Sequence, residues 1–185
     1  MAALFLGTLV IVTVVEVWQS TKHRPEATAR DSGSRLVIRI GYVAGVFAAI
    51  VALRDASTKA IRHDRVLVFA VAIAILWSGM ALRWWAFRTL GRLFTFTVTT
   101  TSDQPIVNTG PCRVLRHPSY AGAMLMLTGA GLAYANWLSL AAMVVLPLVG
   151  IAYRINVEEA ALRESVGSAY ESYSSTRKRL IPFVW

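Results

Sequence analysis

Apolar positions in this chain gather into five runs separated by polar segments: Ala2 to Trp18, Leu36 to Leu53, Val66 to Phe87, Tyr120 to Tyr134 and Trp137 to Tyr153. A helix crossing roughly 30 Å of hydrocarbon at about 1.5 Å per residue needs about 20 mostly apolar residues. Each run is therefore read as a membrane-spanning helix, the fourth being short. The first lacks a lysine-rich leader and an A-x-A cleavage site, so it is expected to be retained rather than removed. Only Ala135 and Asn136 separate the last two runs, which predicts a tight antiparallel hairpin. Gly122, Gly129 and Gly131, with Ala121 and Ala123, allow the close helix approach of small-xxx-small seams and are assigned to packing.

Between the third and fourth runs, the polar stretch from Arg88 to Pro118 is rich in threonine and broken at Gly110-Pro111, so it cannot lie in lipid. Beyond Tyr153 the pattern turns charged and amphipathic, and Arg154 to Trp185 reads as a cytoplasmic helix followed by an extended tail. No internal repeat or second domain boundary interrupts it. The expected fold is all-α: a polytopic integral membrane protein of about five transmembrane helices forming one domain over residues 1–185. Three helices occupy 1–87, and the connector, hairpin and C-terminal part occupy 88–185.

Composition agrees with a membrane setting, since 56% of residues are hydrophobic and only 16% charged. One cysteine, Cys112, excludes an internal disulfide framework, and with three scattered histidines it leaves no basis for a metal centre. A net charge of +9 would suggest nucleic acid in a soluble chain, but here anionic lipid headgroups are the expected partner and nucleic acid is not. Most lysines and arginines fall in 19–35, 88–119 and 154–185, whereas the opposite loops hold Arg54, Lys59, Arg62 and Arg65. Positive-inside counting therefore places the amino terminus outside and the carboxyl terminus in the cytoplasm. The short spans and lack of a targeting signal suit a prokaryotic inner membrane.

Two clusters carry chemistry. The first, DQPIVNTGPCRVLRHPSYAG, combines stiffening prolines with His117 and Tyr120 at a helix entrance, where Pro118 suits the first turn. Free N–H groups at such an entrance can meet a carboxylate. On spacing alone His117 reads first as an interfacial hydrogen-bonding residue and Tyr120 as a belt aromatic, while Arg113 and Arg116 read as snorkelling lipid contacts. The second cluster, RINVEEAALRE, puts Arg154 and Glu158 four residues apart on one helical face at the membrane border. Ionisable groups there are costly unless paired or functional.

Together these segments resemble the isoprenylcysteine carboxyl methyltransferase family. The resemblance runs from Gly110-Pro-Cys-Arg-Val-Leu-Arg-His-Pro-Ser-Tyr-Ala-Gly122 through Arg154-x-x-x-Glu158-Glu159 and Tyr170-x-x-Tyr173 to Arg179-Leu-Ile-Pro-Phe183. It covers about residues 88 to 185, and phospholipid methyltransferases belong to the same wider group. The resemblance implies an integral membrane enzyme that transfers methyl from S-adenosyl-L-methionine to a lipophilic acceptor, with a cytoplasmic cofactor pocket built from the connector and the C-terminal segment. Matched position by position, it implies a cofactor cradle of Gln104, Pro105, Ile106, Val107, Cys112, His117, Pro118, Ser119, Tyr120 and Glu158. Arg154 faces the acceptor and shares the catalytic role with Glu158, and no metal takes part. Glu159 is left to pair with Arg154 or Arg163. One departure is that Cys112 stands where the family usually has tyrosine.

Carboxyl O-methylation of an isoprenylcysteine-like substrate is the first expectation. A carboxylate with an ordinary pKa of about 3.5 is ionised at neutral pH and needs no general base. N-methylation of a phospholipid amine, S-methylation of a small thiol and a non-enzymatic membrane scaffold are the alternatives. The sequence does not fix the oligomeric state.

Overall fold

The structure is a computed structural model and describes residues 7, 28–29, 33–52, 60–61, 64–91, 99–100 and 106–181. Four long helices correspond to the second to fifth apolar runs: α1 (Ser34–Ala52), α2 (Arg65–Leu90), α3 (Pro118–Ala133) and α4 (Trp137–Val166). A short α5 (Ser168–Ser175) follows, and a 3-10 turn (Gly110–Arg113) precedes α3. Two residues on each side, β1 (Thr28–Ala29) and β2 (Thr99–Thr100), pair antiparallel with Thr28 opposite Thr100. Among the described residues the fold is all-helical apart from that pair. The first apolar run, Ala2 to Trp18, lies outside the described residues except for Gly7.

Local chemistry sets the helix ends. The Asp64 carboxylate accepts from the backbone N–H groups of Val66 and Leu67 at the start of α2, and the Asn136 side chain accepts from those of Leu138 and Ser139 at the start of α4. Both satisfy donors that a helix cannot satisfy within itself. Pro118 opens α3 in the position where its missing N–H costs nothing. Gly167 closes α4 with φ of 61°, a left-handed value at which other residues are strained.

Among the described helices, α2 and α4 are long and apolar enough to cross a membrane. Side chains such as Val43 and Phe47 on α1, Val66 and Leu67 on α2, and Val149 on α4 face outward. Exposed aliphatic surface on this scale suits contact with a bilayer. The largest helix contacts are α2 with α3 and α1 with α4, with α3 also touching α4. Three residues, 134–136, join α3 to α4, in keeping with the expected hairpin, and Ala135 turns the chain at φ 49°. The Ala135 carbonyl accepts from the N–H of Ile61 at 2.8 Å, which fastens this turn to the segment before α2.

One element differs from its expected form. The sequence suggests a separate cytoplasmic helix after Tyr153, but α4 continues unbroken to Val166, because nothing between 154 and 166 breaks a helix and Gly167 is the first residue that does. The apolar span and the charged stem are one rod, so the stem's position is fixed by the membrane helix itself.

The glycines in α3 do what their spacing suggests. A Cβ on Gly122 would lie 2.7 Å from the Gly79 carbonyl oxygen, and one on Gly129 would lie 2.6 Å from that of Ala72. The backbones of α2 and α3 therefore touch at two levels. Replacing Gly129 with alanine should force these helices apart and destabilise the protein by about 1–3 kcal/mol. Thermal unfolding of the purified protein in detergent should show the lowered midpoint, whereas Gly91→Ala, in open space at the end of α2, should show only its smaller backbone cost.

Candidate active site

Two polar networks meet where the turn before α3 packs against the stem of α4. The first is centred on Glu159, which is fully buried. Its Oε1 accepts from Arg116 Nη1 at 2.7 Å and from Arg179 Nε at 3.2 Å, and lies 3.3 Å from His117 Nε2. Its Oε2 accepts from Arg179 Nη2 at 2.8 Å and from Arg163 Nη2 at 3.1 Å. One carboxylate thus ties together the residue before α3, the stem and the C-terminal segment. Its hydrogen bond to Arg179 raises that guanidinium's pKa.

Backbone pairing reinforces the tie. The N–H groups of Arg116 and His117 donate to the carbonyls of Lys178 and Arg179 at 2.8 and 3.1 Å, forming a short parallel bridge. Beneath it Leu115, Ala121, Ile151, Ile155 and Leu180 form a buried apolar cluster. The polar connector and the stem leaving the membrane therefore share one core.

The second network contains the residues singled out from the sequence. Arg154 Nε donates to the Tyr120 hydroxyl at 2.7 Å, and that hydroxyl donates to Glu158 Oε2 at 3.0 Å. Arg154 Nη1 donates to Ser34 Oγ at 2.9 Å. Arg154 is 3% exposed, while Glu158 and Tyr120 are half-buried. The His117 and Tyr120 rings stack with centroids 5.8 Å apart. In the first turn of α3, the Ser119 carbonyl accepts from Arg83 Nη1 at 2.8 Å, and the Arg83 guanidinium lies over the Phe87 ring.

The structure therefore brings together His117, Pro118, Ser119, Tyr120, Arg154 and Glu158. Ile106 and Val107 lie half-buried in the approach to the 3-10 turn. Gln104 and Pro105 lie outside the described residues. Of the two partners expected for Glu159, Arg163 is the one found. Arg116 is corrected: rather than reaching into lipid, its side chain is largely buried on Glu159, since a buried carboxylate outcompetes an exposed headgroup for a nearby guanidinium. Arg113 is exposed. Ser34 escaped the sequence reading, and Arg179 entered it only as the start of the closing motif, without a partner. They lie 120 and 20 residues from Arg154 and Glu159, and only the tertiary fold reveals such pairings.

Cys112 is buried at the 3-10 turn, and its carbonyl accepts from the Tyr173 hydroxyl at 2.9 Å. Burial pushes its thiol up to about 11. Tyr170, on α5, is pushed up to about 12 by burial and by the charge of Glu159. Among the described residues, the Tyr170 hydroxyl and Arg116 Nε are buried side by side near Glu159.

Two outcomes follow. A thiol pushed up to about 11 by burial stays protonated near pH 8, so maleimide should label Cys112 slowly in the folded protein and quickly in denaturant. Glu159→Gln leaves three arginines around a neutral side chain, which should cost about 3–5 kcal/mol. Trypsin should then cleave at Arg177 and Lys178 much faster than in the parent, with the released peptide identified by mass spectrometry.

Comparison with known proteins places this geometry. Residues 70–164 match the family model of the isoprenylcysteine carboxyl methyltransferase (ICMT) family. Protein-S-isoprenylcysteine O-methyltransferase B of Arabidopsis thaliana is 31% identical over 125 residues, covering 66% of this chain and 62% of the relative. Protein-S-isoprenylcysteine O-methyltransferase A of the same plant is 28% identical over 130 residues, covering 60% of this chain and 66% of the relative. Among solved structures, the eukaryotic intramembrane Ras methyltransferase ICMT superposes with a TM-score of 0.60 at 22% identity, covering 83% of this chain and 53% of that one. This chain thus spans less than two thirds of each relative's length, and the structural likeness shows a shared fold. The family match takes in α3 and the stem of α4 through Glu159 and Arg163, and the chain belongs to the isoprenylcysteine carboxyl methyltransferase family.

Proposed function

We propose that this protein transfers a methyl group from S-adenosylmethionine to the carboxylate of a lipophilic, isoprenylcysteine-like acceptor at the cytoplasmic border of the membrane. The observation that carries this reading is the chain of hydrogen bonds from Arg154 through Tyr120 to Glu158. It sets a cationic group and an anionic group on either side of one phenol, as two substrates of opposite charge would require.

The residues present fit such a cofactor. Glu158 and Glu159 are sequence neighbours, but Glu159 is consumed by its arginines, whereas Glu158 is half-buried and suited to an ammonium or a ribose hydroxyl. The stacked His117 and Tyr120 rings offer a π face to a sulfonium. When bound, the cofactor supplies an activated methyl group on sulfur.

The protein's own part is to bind, orient and exclude water. Arg154 grips the acceptor carboxylate by charge-assisted hydrogen bonds, and Tyr120 sets the distance between Arg154 and Glu158. Holding two reactants in line contributes roughly 7–11 kcal/mol to such reactions, so a site without a general base suffices for an acceptor already ionised.

Depth in the membrane supports a lipid acceptor. With 16 residues, α3 is about 24 Å long, shorter than the roughly 30 Å hydrocarbon layer. An entrance at His117 that sits below the headgroups would let an acceptor's tail stay in the bilayer while its carboxylate meets Arg154. Ser34, His117 and Arg154 lie at one end of the bundle, and the turn at 134–136 lies at the other. The charge bias supports a cytoplasmic position for the first end, the compartment of a water-soluble cofactor.

Isothermal titration in detergent should find that Glu158→Ala weakens S-adenosylmethionine binding by about tenfold or more. Arg154→Ala should keep binding near the parent value and lower methyl transfer about a hundredfold. Radiolabelled methyl donor incubated with a prenylcysteine analogue should give a base-labile product, as an ester is, at a rate nearly flat from about pH 6 to pH 9. A base-stable product, or a rate that climbs through that range, contradicts carboxyl methylation.

A further inference from the structure

We infer that Ser34, at the start of α1, is a positioning residue for Arg154: it acts through the guanidinium and needs no contact with either substrate. The inference rests on the methyl transfer proposed above, but it is drawn from a part of the chain outside the segment matched by the family model.

Arg154 is held from two directions. Tyr120, carried by α3, takes its Nε, and Ser34, carried by α1, takes its Nη1. An arginine side chain has four rotatable bonds, and one hydrogen bond leaves its plane free to swing about that contact. Two contacts on different nitrogens, borne by different helices, fix both the position and the tilt of the plane. A guanidinium that grips a carboxylate through two parallel N–H groups depends on that tilt.

The backbone around Ser34 is arranged to hold its hydroxyl still. Ser34 is fully buried. It follows Gly33, whose φ of 77° turns the chain into α1 and whose carbonyl accepts from the N–H groups of Leu36 and Val37. Along α1 the contact with α4 is close: a Cβ on Gly150 would lie 2.9 Å from Ile38 Cα, and one on Gly41 would lie 2.8 Å from the Leu146 carbonyl oxygen. Such a seam lets α1 slide little against α4, so the height of Ser34 relative to Arg154 is set by backbone contact. A hydroxyl also orients a guanidinium without cancelling its charge, whereas a carboxylate at this place would compete with the acceptor.

The test uses the full chain in detergent, comparing Ser34→Ala, Ser34→Thr and the parent. The first readout is independent of turnover: the rate at which phenylglyoxal modifies each arginine, followed by mass spectrometry. Ser34→Ala should raise modification of Arg154 several-fold while Arg116 and Arg179 keep their parental rates, and Ser34→Thr should behave as the parent. Equal modification of Arg154 in Ser34→Ala and the parent overturns the inference. So does a rise at all three arginines, which would mean general loosening. The second readout is turnover with a prenylcysteine analogue. Ser34→Ala should lower kcat/KM about tenfold, with S-adenosylmethionine affinity unchanged and recovery in Ser34→Thr. A parent that methylates no acceptor counts against the proposed reaction, and the labelling rates still decide the role of Ser34.

Discussion

A single buried carboxylate determines where everything else in this site can be. Glu159 has no exposed surface and lies within reach of Arg116, His117, Arg163 and Arg179. An ion taken this far from water is tolerated only when several charged or polar groups replace its hydration. Those groups come from three separate parts of the chain. The penalty for leaving Glu159 unpaired therefore holds the connector, the stem and the C-terminal segment together, and the same constraint leaves the adjacent Glu158 to point at Tyr120. Two neighbouring glutamates acquire different tasks because successive residues on a helix point about 100° apart, one into the cation cluster and one toward the phenol.

Helix length distinguishes the two elements that carry the site. The 30 residues of α4 continue past its apolar part, so Arg154, Glu158, Glu159 and Arg163 ride on the same rigid rod. The 16 residues of α3 begin at Pro118, beside His117, and put Tyr120 in the first turn. Close backbone contact at Gly79 and Gly122 keeps the short helix at its level.

Much of this was legible in the residues, though unevenly. Four of the five apolar runs match described helices to within a few residues at most boundaries, because burial in lipid leaves a strong signal that no other constraint disturbs. The end of α4 was misjudged, since a drop in hydropathy marks the membrane border and not the end of a helix; only Gly167 marks that. His117, Tyr120, Arg154 and Glu158 were picked out by resemblance and do converge in space. Arg116 was misread because an arginine at a membrane border has two physically reasonable partners, and the choice depends on a glutamate 43 residues away. Arg179 was legible as part of the closing motif but its pairing with Glu159 was not, and Ser34 left no local signal at all.

Binding of S-adenosylmethionine to the parent and to Glu159→Gln, titrated in detergent at a temperature where both retain their helicity, addresses the central claim most directly. Glu159 is assigned no contact with the cofactor, only the task of holding the connector against the stem. The account predicts saturable binding by the parent and binding weaker by about tenfold or more in the variant. Equal affinity in the two proteins, or no saturable binding by the parent, would contradict it.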